Sequence, residues 1–525
     1  MRHICLRLSI VFCVLATATW ASAQATGTVT GAVKDSQGAV IPGATVTLLS
    51  ETRGIQVADV QTNGNGDFVF PNIQGDTYTI QVALEGFKTL RRTGIFVSPG
   101  DRVVVPTVTL SLGGLNETVD VKAEAPAIQA ASGERAFTVS TESVENLPVA
   151  NRNFAGFATL IPGAIAQSGT AIAGGVQRLG GGGQNNIMMD GVSTMDTGNN
   201  GQLIQMNVDA ISEVKVLTQG YQAEFGRSSG LQISAVTKSG TNQFRGSLYD
   251  IERNSDWNAN SWENIQNGDP KPVSKQRDWG YTLGGPVGKP GGDNQLFFFY
   301  SHEYRPRKSG GTINRFRVPT ALERRGDFSE TRDNNGQLFN TIRDYTRGLP
   351  CTSSDTRGCF QDGGVLGRIP QNRLYPTGMN ILNNLWPLPN VEQVPGLGYN
   401  YEVQVPVTDS LINQPVVRVD YQISSKLRFT AKYAGQLQGQ NVDPGSLPGY
   451  NDLLRWNRNR HAPSVTVNYN LTPTMFLEGT YGYSFNEIAN LYVSPLSNRA
   501  NAGLGDLPML FPQAGTVDPA YNAAR

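Results

Sequence analysis

From Phe244 onward the chain alternates apolar and polar residues one by one, and this two-residue period restricts the fold more than any other feature. In Lys426–Tyr433, Leu427, Phe429, Ala431 and Tyr433 oppose Lys426, Arg428, Thr430 and Lys432. In Ser464–Leu471, Val465, Val467, Tyr469 and Leu471 oppose Ser464, Thr466, Asn468 and Asn470. Met475, Leu477, Gly479, Tyr481, Tyr483 and Phe485 continue the scheme. Successive strand side chains point to opposite faces, so each segment has one greasy and one polar side. A strand between lipid and a watery lumen needs that pattern, although a soluble sandwich shows it too. Connection lengths favour the first. Thr472-Pro473 and Gln422–Ser425 are short, while 437–462 is long. The stretch 305–413, rich in Pro, Gly, Asn and Arg, is longer still and fits poorly inside a compact domain. Short turns on one side and long loops on the other are the habit of a membrane barrel.

Bulk composition narrows the class. A chain of 525 residues is expected to hold several domains. Lys+Arg and Asp+Glu both total 43, so a cationic nucleic-acid footprint is absent, as is the acidic signature of disorder. Glycine supplies 59 residues, above the usual roughly 7%, which suits strands and turns. No apolar run after residue 23 reaches the ~18 residues of a membrane helix. A membrane assignment therefore rests on strands. The start reads as a secretory leader: Arg2 and Arg7 give positive charge, Leu8–Ala18 is apolar, and Ala21-Ser22-Ala23 predicts cleavage between Ala23 and Gln24. Phe12 before Cys13 argues against lipidation. Without the leader, Cys351 and Cys359 remain, and an exported chain with two closely spaced cysteines predicts one disulfide. Chain entropy assigns such a loop roughly 2–3 kcal/mol.

Between Gly27 and Leu112 about seven short strands are expected, most clearly Thr28–Val33, Thr45–Leu49, Asp67–Phe70, Tyr78–Ala83 and Val103–Leu112. Val33–Gly38, Ile41–Val46, Thr62–Phe68, Gly75–Tyr78 and Glu85–Phe87 resemble the carboxypeptidase regulatory-like domain, a prealbumin-type sandwich without catalytic residues. Asn63, Asn65 and Asp67 alternate like a calcium loop, but Phe68 stands where its Gly is needed and Gln74 where its Glu is needed, so a hairpin turn is expected. A polar connector over 113–135 holds Glu117, Thr118, Val119, Asp120, Val121, Lys122 and Ala123. This segment resembles the box by which outer-membrane receptors engage the inner-membrane energiser TonB. Val119 and Val121 on one side suit addition as a strand to a partner's sheet edge. The alternative is a last strand of the sandwich or a plain linker.

Residues 136–243 resemble the plug of a TonB-dependent receptor of the Oar-like group. The matching blocks are Val144–Pro148 with Asn151–Asn153, Leu160–Gly163, Gln184–Val192, Ile211–Val216, Ala223–Gly226, Gly230 and Val236–Asn242. The resemblance implies a small α+β domain seated inside a barrel. From the residues themselves, Asn186–Met189 and Val214–Leu217 suit short strands and Gly180–Gly183 a loop. No Gly-Lys-Ser/Thr follows those glycines, which argues against a phosphate cradle. His302 and His461 lack zinc spacing, and no nucleophile elbow is present. No enzyme, cofactor or metal site is expected.

The fold class expected is mainly β: a prealbumin/Ig-like sandwich, an α+β plug and part of a transmembrane antiparallel barrel. The domain limits are 1–23 leader, 24–112 sandwich, 113–135 linker with the box-like segment, 136–243 plug, and 244–525 barrel with long outer loops. Seven or eight convincing barrel strands are visible, whereas a barrel holding a plug needs far more than eight, so a truncated barrel is expected. The resemblance implies a receptor or transporter in the bacterial outer membrane, its sandwich in the periplasm. Its partners would be TonB, membrane lipid and an extracellular ligand of unidentified class, with no nucleic acid. The alternatives are an adhesion or signalling protein of the same architecture and a soluble secreted β protein.

Overall fold

The computed structural model describes residues 26–98, 100–113, 118–122, 134–147, 152–162, 164–166, 176–178, 185–196, 201–221, 230–392, 396, 398–438, 441–443, 453–472, 475–492 and 500–507. The leader site Ala23–Gln24, the ends Glu117 and Ala123 of the box-like segment, and Gly180–Gly183 lie outside these residues.

The N-terminal strands are β1 (Gly27–Asp35), β2 (Thr45–Ser50), β3 (Ile55–Gln61), β4 (Asp67–Ile73), β5 (Asp76–Ala83), β6 (Thr89–Val97), β7 (Arg102–Val104), β8 (Val108–Leu110) and β9 (Thr118–Lys122). One sheet runs β4-β1-β7, with β8 also on β1, and the other runs β3-β2-β5-β6-β9. Between them lie Val29, Leu48, Phe70, Tyr78, Ile80 and Val82, each at most 1% exposed. Tyr78, Ile80 and Val82 share the face that period two assigned to them. Strands β3 and β6 were not among the clear expectations because bulges break their alternation. The β2–β3 register shifts at Leu48/Leu49, and β5–β6 shifts at Tyr78/Ile80, opposite Gly94 at φ 79°. Expected Val103–Leu112 is two strands separated by an interval that contains Pro106, which has no N–H to continue a ladder. Asn63 Oδ1 accepts from the backbone N–H groups of Asn65 and Asp67, at 2.9 Å each, so this stretch is an Asx turn.

The plug contains β10 (Arg135–Val139), helix α1 (Thr141–Asn146), the small hairpin β11 (Ala164–Ala166) and β12 (Val176–Arg178), then β13 (Asn186–Met189), β14 (Val192–Ser193), β15 (Ile211–Gln219) and β16 (Gln232–Thr237). Its mixed sheet has the order β10-β15-β16-β13-β14. Phe154, Phe157, Ile187, Met189, Val214, Val216 and Ile233 form its core, each at most 1% exposed. Asp190 (φ 46°) and Gly191 (φ 79°) join β13 to β14 in a two-residue hairpin turn, for which Asp-Gly is a favoured pair.

The wall begins with β17 (Arg245–Asn254), followed by helix α2 (Trp262–Asn267), β18 (Val273–Pro286) and β19 (Leu296–Gly310). The outer loop holds β20 (Ile313–Phe316), β21 (Gln361–Asp362), β22 (Val365–Leu366), α3 (Pro376–Leu385) and β23 (Tyr401–Gln404). The wall resumes with β24 (Thr408–Gln422), β25 (Leu427–Gln438), the short β26 (Asn441–Asp443), β27 (Leu453–Thr472), β28 (Met475–Gly482) and β29 (Phe485–Tyr492). The order is β17-β18-β19-β24-β25-β27, with β28 and β29 pairing the two halves of β27. Among the described residues the two sheet edges do not pair with each other. Turns after β18, β24 and β27 are short and connections at the other end are long. Strand β27 starts at Leu453, so much of the long connection expected over 437–462 is strand. Pro415 and Pro463 sit within β24 and β27 and mask their upper parts in the sequence.

Leu427, Phe429, Val465, Val467, Tyr469 and Leu471 face outward as the alternation requires. On the same outer face, Trp279 stacks on Tyr304 at 4.3 Å and His302 on Tyr304 at 4.2 Å. From the Leu296–Tyr421 pair to the Tyr304–Asn413 pair, a tilted strand at ~3.3 Å per residue rises about 20 Å. This is the scale of an apolar barrel belt with aromatic rims. The inner face departs from expectation. It does not line open water: Ser301, Glu303, Arg418, Asp420, Arg428 and Lys432 are buried beneath the plug and sandwich.

Candidate functional site: the contacts that hold plug and sandwich to the wall

Period two on β19, β24 and β25 aims every second residue inward; Phe297, Phe299, Val416 and Ala434 are apolar, and the buried polar ones meet side chains from the other two bodies. In the plug, Arg152 Nε donates to Glu303 Oε2 of β19 at 3.0 Å. The same guanidinium pairs with Asp209 and lies 4.5 Å above the Tyr249 ring. Tyr249 donates its hydroxyl to Glu303 at 2.9 Å, and Asn207 Nδ2 reaches Tyr249 Oη and Ser301 Oγ. Burial works against the Arg152 charge, but Glu303 and Asp209 outweigh it and hold its pKa above the ordinary value.

A second anchor centres on Asp190 in the β13–β14 turn. Its carboxylate meets Lys432 Nζ of β25 at 2.7 Å and Arg418 Nη1 of β24 at 3.7 Å. Thr237 adds a backbone N–H and a hydroxyl, each at 2.9 Å. Burial pushes the Asp190 pKa up, while Lys432 and Arg418 pull it down and prevail, so the carboxylate stays ionised. Arg418 also chelates Asp420 at 2.9 and 3.0 Å and donates to Thr237 O at 2.7 Å.

Asp420 links this anchor to a third, made by the sandwich. Gln74 Nε2 donates to Thr430 Oγ1 at 3.1 Å and to Asp420 Oδ1 at 3.3 Å. Arg428 Nη2 donates to Asn72 O at 3.1 Å, and Asn468 Nδ2 to Asn72 Oδ1 at 2.6 Å. Thr26 Oγ1 donates to Glu478 at 2.8 Å. Arg53 spans all three bodies: it donates to Gln74 in its own domain and to Ser239 beyond the plug sheet, and lies over Phe297 of the wall. The described non-glycine residues with positive φ are Asn72, Arg152 and Asp190. Each is a wall anchor. Left-handed backbone costs of order 1–3 kcal/mol at such residues and persists where the surroundings fix it.

Sandwich and plug also touch directly. Ser98 Oγ donates to Glu213 Oε2 at 2.9 Å, and Lys215 pairs with Asp101 at 2.9 Å. Burial pushes the Glu213 carboxyl up to about 7, with the Ser98 hydrogen bond opposing and Asp101 assisting. A cavity of about 710 Å³ opens where the three bodies meet, lined by Gln74, Asp190, Glu213, Arg418 and Lys432 among others. At the long-loop end a second hollow of about 830 Å³ lies against Arg317, Phe328, Arg332, Phe339 and Trp386.

Of the residues singled out in the sequence, Thr118–Lys122 is strand β9, parallel to β6. Cys351 and Cys359 are joined by a disulfide within the outer loop, with a Cα–Cα distance of 4.8 Å. His302 and His461 accept or donate through Nδ1 to Tyr300 and Tyr433 on the outward face. Among the described residues no cluster of His, Cys, Asp and Glu could hold a metal, and no helix is long and apolar enough to cross a membrane. Sequence reasoning did not single out Arg152, Asp190, Glu303, Arg418 and Asp420. Their signal is charge at inward strand positions and in an Asp-Gly hairpin turn.

Residues 236–522, more than half of the chain, match the family model described as outer membrane beta barrel domain. The chain belongs to that family. Residues 28–111 match the carboxypeptidase regulatory-like domain. Over 316 residues the chain is 28% identical to the TonB-dependent transporter Oar of Myxococcus xanthus, covering 55% of this chain and 28% of that protein. It thus spans less than a third of that relative's length. Similar solved structures include the outer membrane transporter YddB of Escherichia coli, 14% identical with a TM-score of 0.39 over 68% of this chain and 40% of that one. The siderophore receptor PirA of Acinetobacter baumannii is 13% identical with a TM-score of 0.35 over 66% and 39%.

Proposed function

We propose that this protein is a TonB-dependent outer-membrane receptor that binds an extracellular ligand and takes it up when the energiser pulls on Glu117–Ala123. The observation that carries the reading is the chemistry of the plug's hold on the wall. The plug's apolar core runs on into Phe299, Val416 and Ala434 of the wall, and at its edge the charged links to the wall are buried ion pairs, Arg152–Glu303 and Asp190–Lys432. Replacing such pairs with apolar residues is often neutral or stabilising, so they fix position more than they add cohesion. A pulled plug can therefore shift as a body when these pairs exchange partners or gain water. The cavity among the three bodies is the space into which it would shift.

Work must come from elsewhere, because the outer membrane has no nucleotide supply, and a strand-forming segment ahead of the plug gives a mechanical handle. Ligand would first meet the outer loops, which the Cys351–Cys359 bridge and the Arg315 contacts to Asp269 and Glu402 hold together. The test is deletion of Glu117–Ala123 in the intact gene, with ligand uptake measured in energised cells. Loss of uptake with retained surface binding is expected. Unchanged energised uptake removes the segment from the mechanism. Binding without accumulation in cells that have the energiser indicates a non-transporting adhesion or signalling protein instead.

A further inference from the structure

The carboxypeptidase regulatory-like match ends at residue 111, yet the sheet of that domain does not. Strand β9 adds to it from beyond the domain, in parallel, with Thr118 opposite Thr89, Asp120 opposite Arg91 and Lys122 opposite Thr93. We propose that the β6 edge of the sandwich is a storage site for the box-like segment, and that the energiser must displace it from this edge to engage. This rests on the reading of Glu117–Ala123 as the energiser's handle.

Three observations make the pairing suited to exchange. First, β9 is terminal in its sheet, so its far edge is unpaired among the described residues and presents backbone groups to an incoming strand. Second, the pairing is parallel and five residues long, a weaker ladder than the antiparallel pairs elsewhere in the sandwich. Third, its side-chain anchorage is one-sided. Val121 packs on the sandwich core while Val119, on the same face, remains 42% exposed. The alternation suited to an energiser's sheet is thus already used, in part, by the chain's own domain. Storage covers the open β6 edge and withholds the handle. If the segment is free about one part in a hundred of the time, the energiser's apparent affinity falls about a hundredfold.

The position gives the store a consequence. Just before β5, the sheet neighbour of β6, stands Gln74, which seats the sandwich on the wall, and directly after β6 stands Ser98, which holds Glu213 of the plug. A strand drawn from β6 therefore loads the domain that covers the wall's inner face before it loads the plug.

The test introduces Arg91→Cys with Asp120→Cys, register partners across β6 and β9, into the intact protein in outer-membrane vesicles. A short bifunctional thiol reagent should link them at rest, and neither single-cysteine variant should form the link. The linked protein should bind the periplasmic domain of TonB at least about tenfold more weakly than the unlinked pair, as expected of a competitor fixed in place. In the unsubstituted protein, amide exchange at 118–122 should be slow and should quicken when that domain is added. Absence of the link together with fast exchange overturns the proposal. So does equal binding by linked and unlinked protein, which leaves the energised reading standing. Failure of the unsubstituted protein to bind the TonB domain at any concentration overturns that reading itself, and the store with it.

Discussion

The same inner wall is held in two chemically different ways. The plug grips it with opposite charges, Arg152 on Glu303 and Asp190 on Lys432 and Arg418. The sandwich grips it without an ion pair: Asn72, Gln74 and Thr26 bring neutral amides and a hydroxyl, and Arg53 lies over the Phe297 ring. A buried ion pair tolerates little misplacement, because moving one partner leaves the other charge unpaired. Hydrogen bonds from neutral groups to charged partners contribute about 1.5–3 kcal/mol each and accept water in exchange. The plug is therefore the body placed with the greater precision, and the sandwich is the one that leaves first. Their shared residue, Asp420, accepts from Arg418 and from Gln74, so departure of the sandwich leaves the plug's anchor polar and solvated but intact.

The largest effect that bears on this contrast is expected from Asp190→Ala. It leaves Lys432 as a buried cation without its carboxylate, while Arg418 keeps Asp420, and stranding a buried charge costs about 3–5 kcal/mol. Protease cutting within the plug, followed in vesicles, should rise steeply while the wall stays intact. Cutting no faster than in the unsubstituted protein would show that the charges do not place the plug. A smaller effect is expected from Gln74→Ala, which removes bonds to Thr430 and Asp420 and the acceptor of Arg53 Nη1, while Asp420 keeps Arg418 and Arg53 keeps Ser239. About 2–3 kcal/mol is lost, enough to raise cutting between sandwich and plug steeply without altering cutting inside the plug. If both sites respond together, the two bodies move as one and the proposed order of release fails.

Much of this was legible in the sequence, for identifiable reasons. Period two placed Leu427, Phe429, Val465 and Tyr469 outward, and Arg428 and Lys432 inward, because alternation is a property of the strand backbone itself. It did not reveal what the inward charges meet. Lys432 finds Asp190, and Asn468 finds Asn72, across hundreds of residues of chain, and no local pattern encodes such pairings. Bulges hid β3 and β6, and prolines at Pro415 and Pro463 disguised strand as loop. The Met188-Met189-Asp190-Gly191 run was read as part of a plug-like block. Its Asp-Gly pair also carried the hairpin signal that sets the Asp190 carboxylate against the wall.

The smallest effect expected concerns the seam between the two bodies, where Glu213 faces Ser98 and Asp101 of the sandwich and its plug neighbour Lys215. Its second carboxylate oxygen is buried without a hydrogen-bond partner among the described residues. Burial raises its pKa to about 7, so the docked state disfavours the ionised form. Below the undocked value of roughly 4.3 the group is protonated in both states and no penalty applies. As the pH climbs from there towards 7 the penalty grows, and above 7 it is complete. Docking of sandwich on plug should therefore tighten on acidification, in the direction opposite to that of Asp190, whose lowered pKa makes its anchor weaken as acid protonates it. Amide protection in β15 and the Ser98 segment, taken relative to the intrinsic exchange rate at each pH, should be higher at pH 5.5 than at pH 8 by a few-fold, and Glu213→Gln should flatten the difference. A pH dependence that survives in the glutamine variant would place the titrating group elsewhere and remove the seam from the account of how the sandwich lets go.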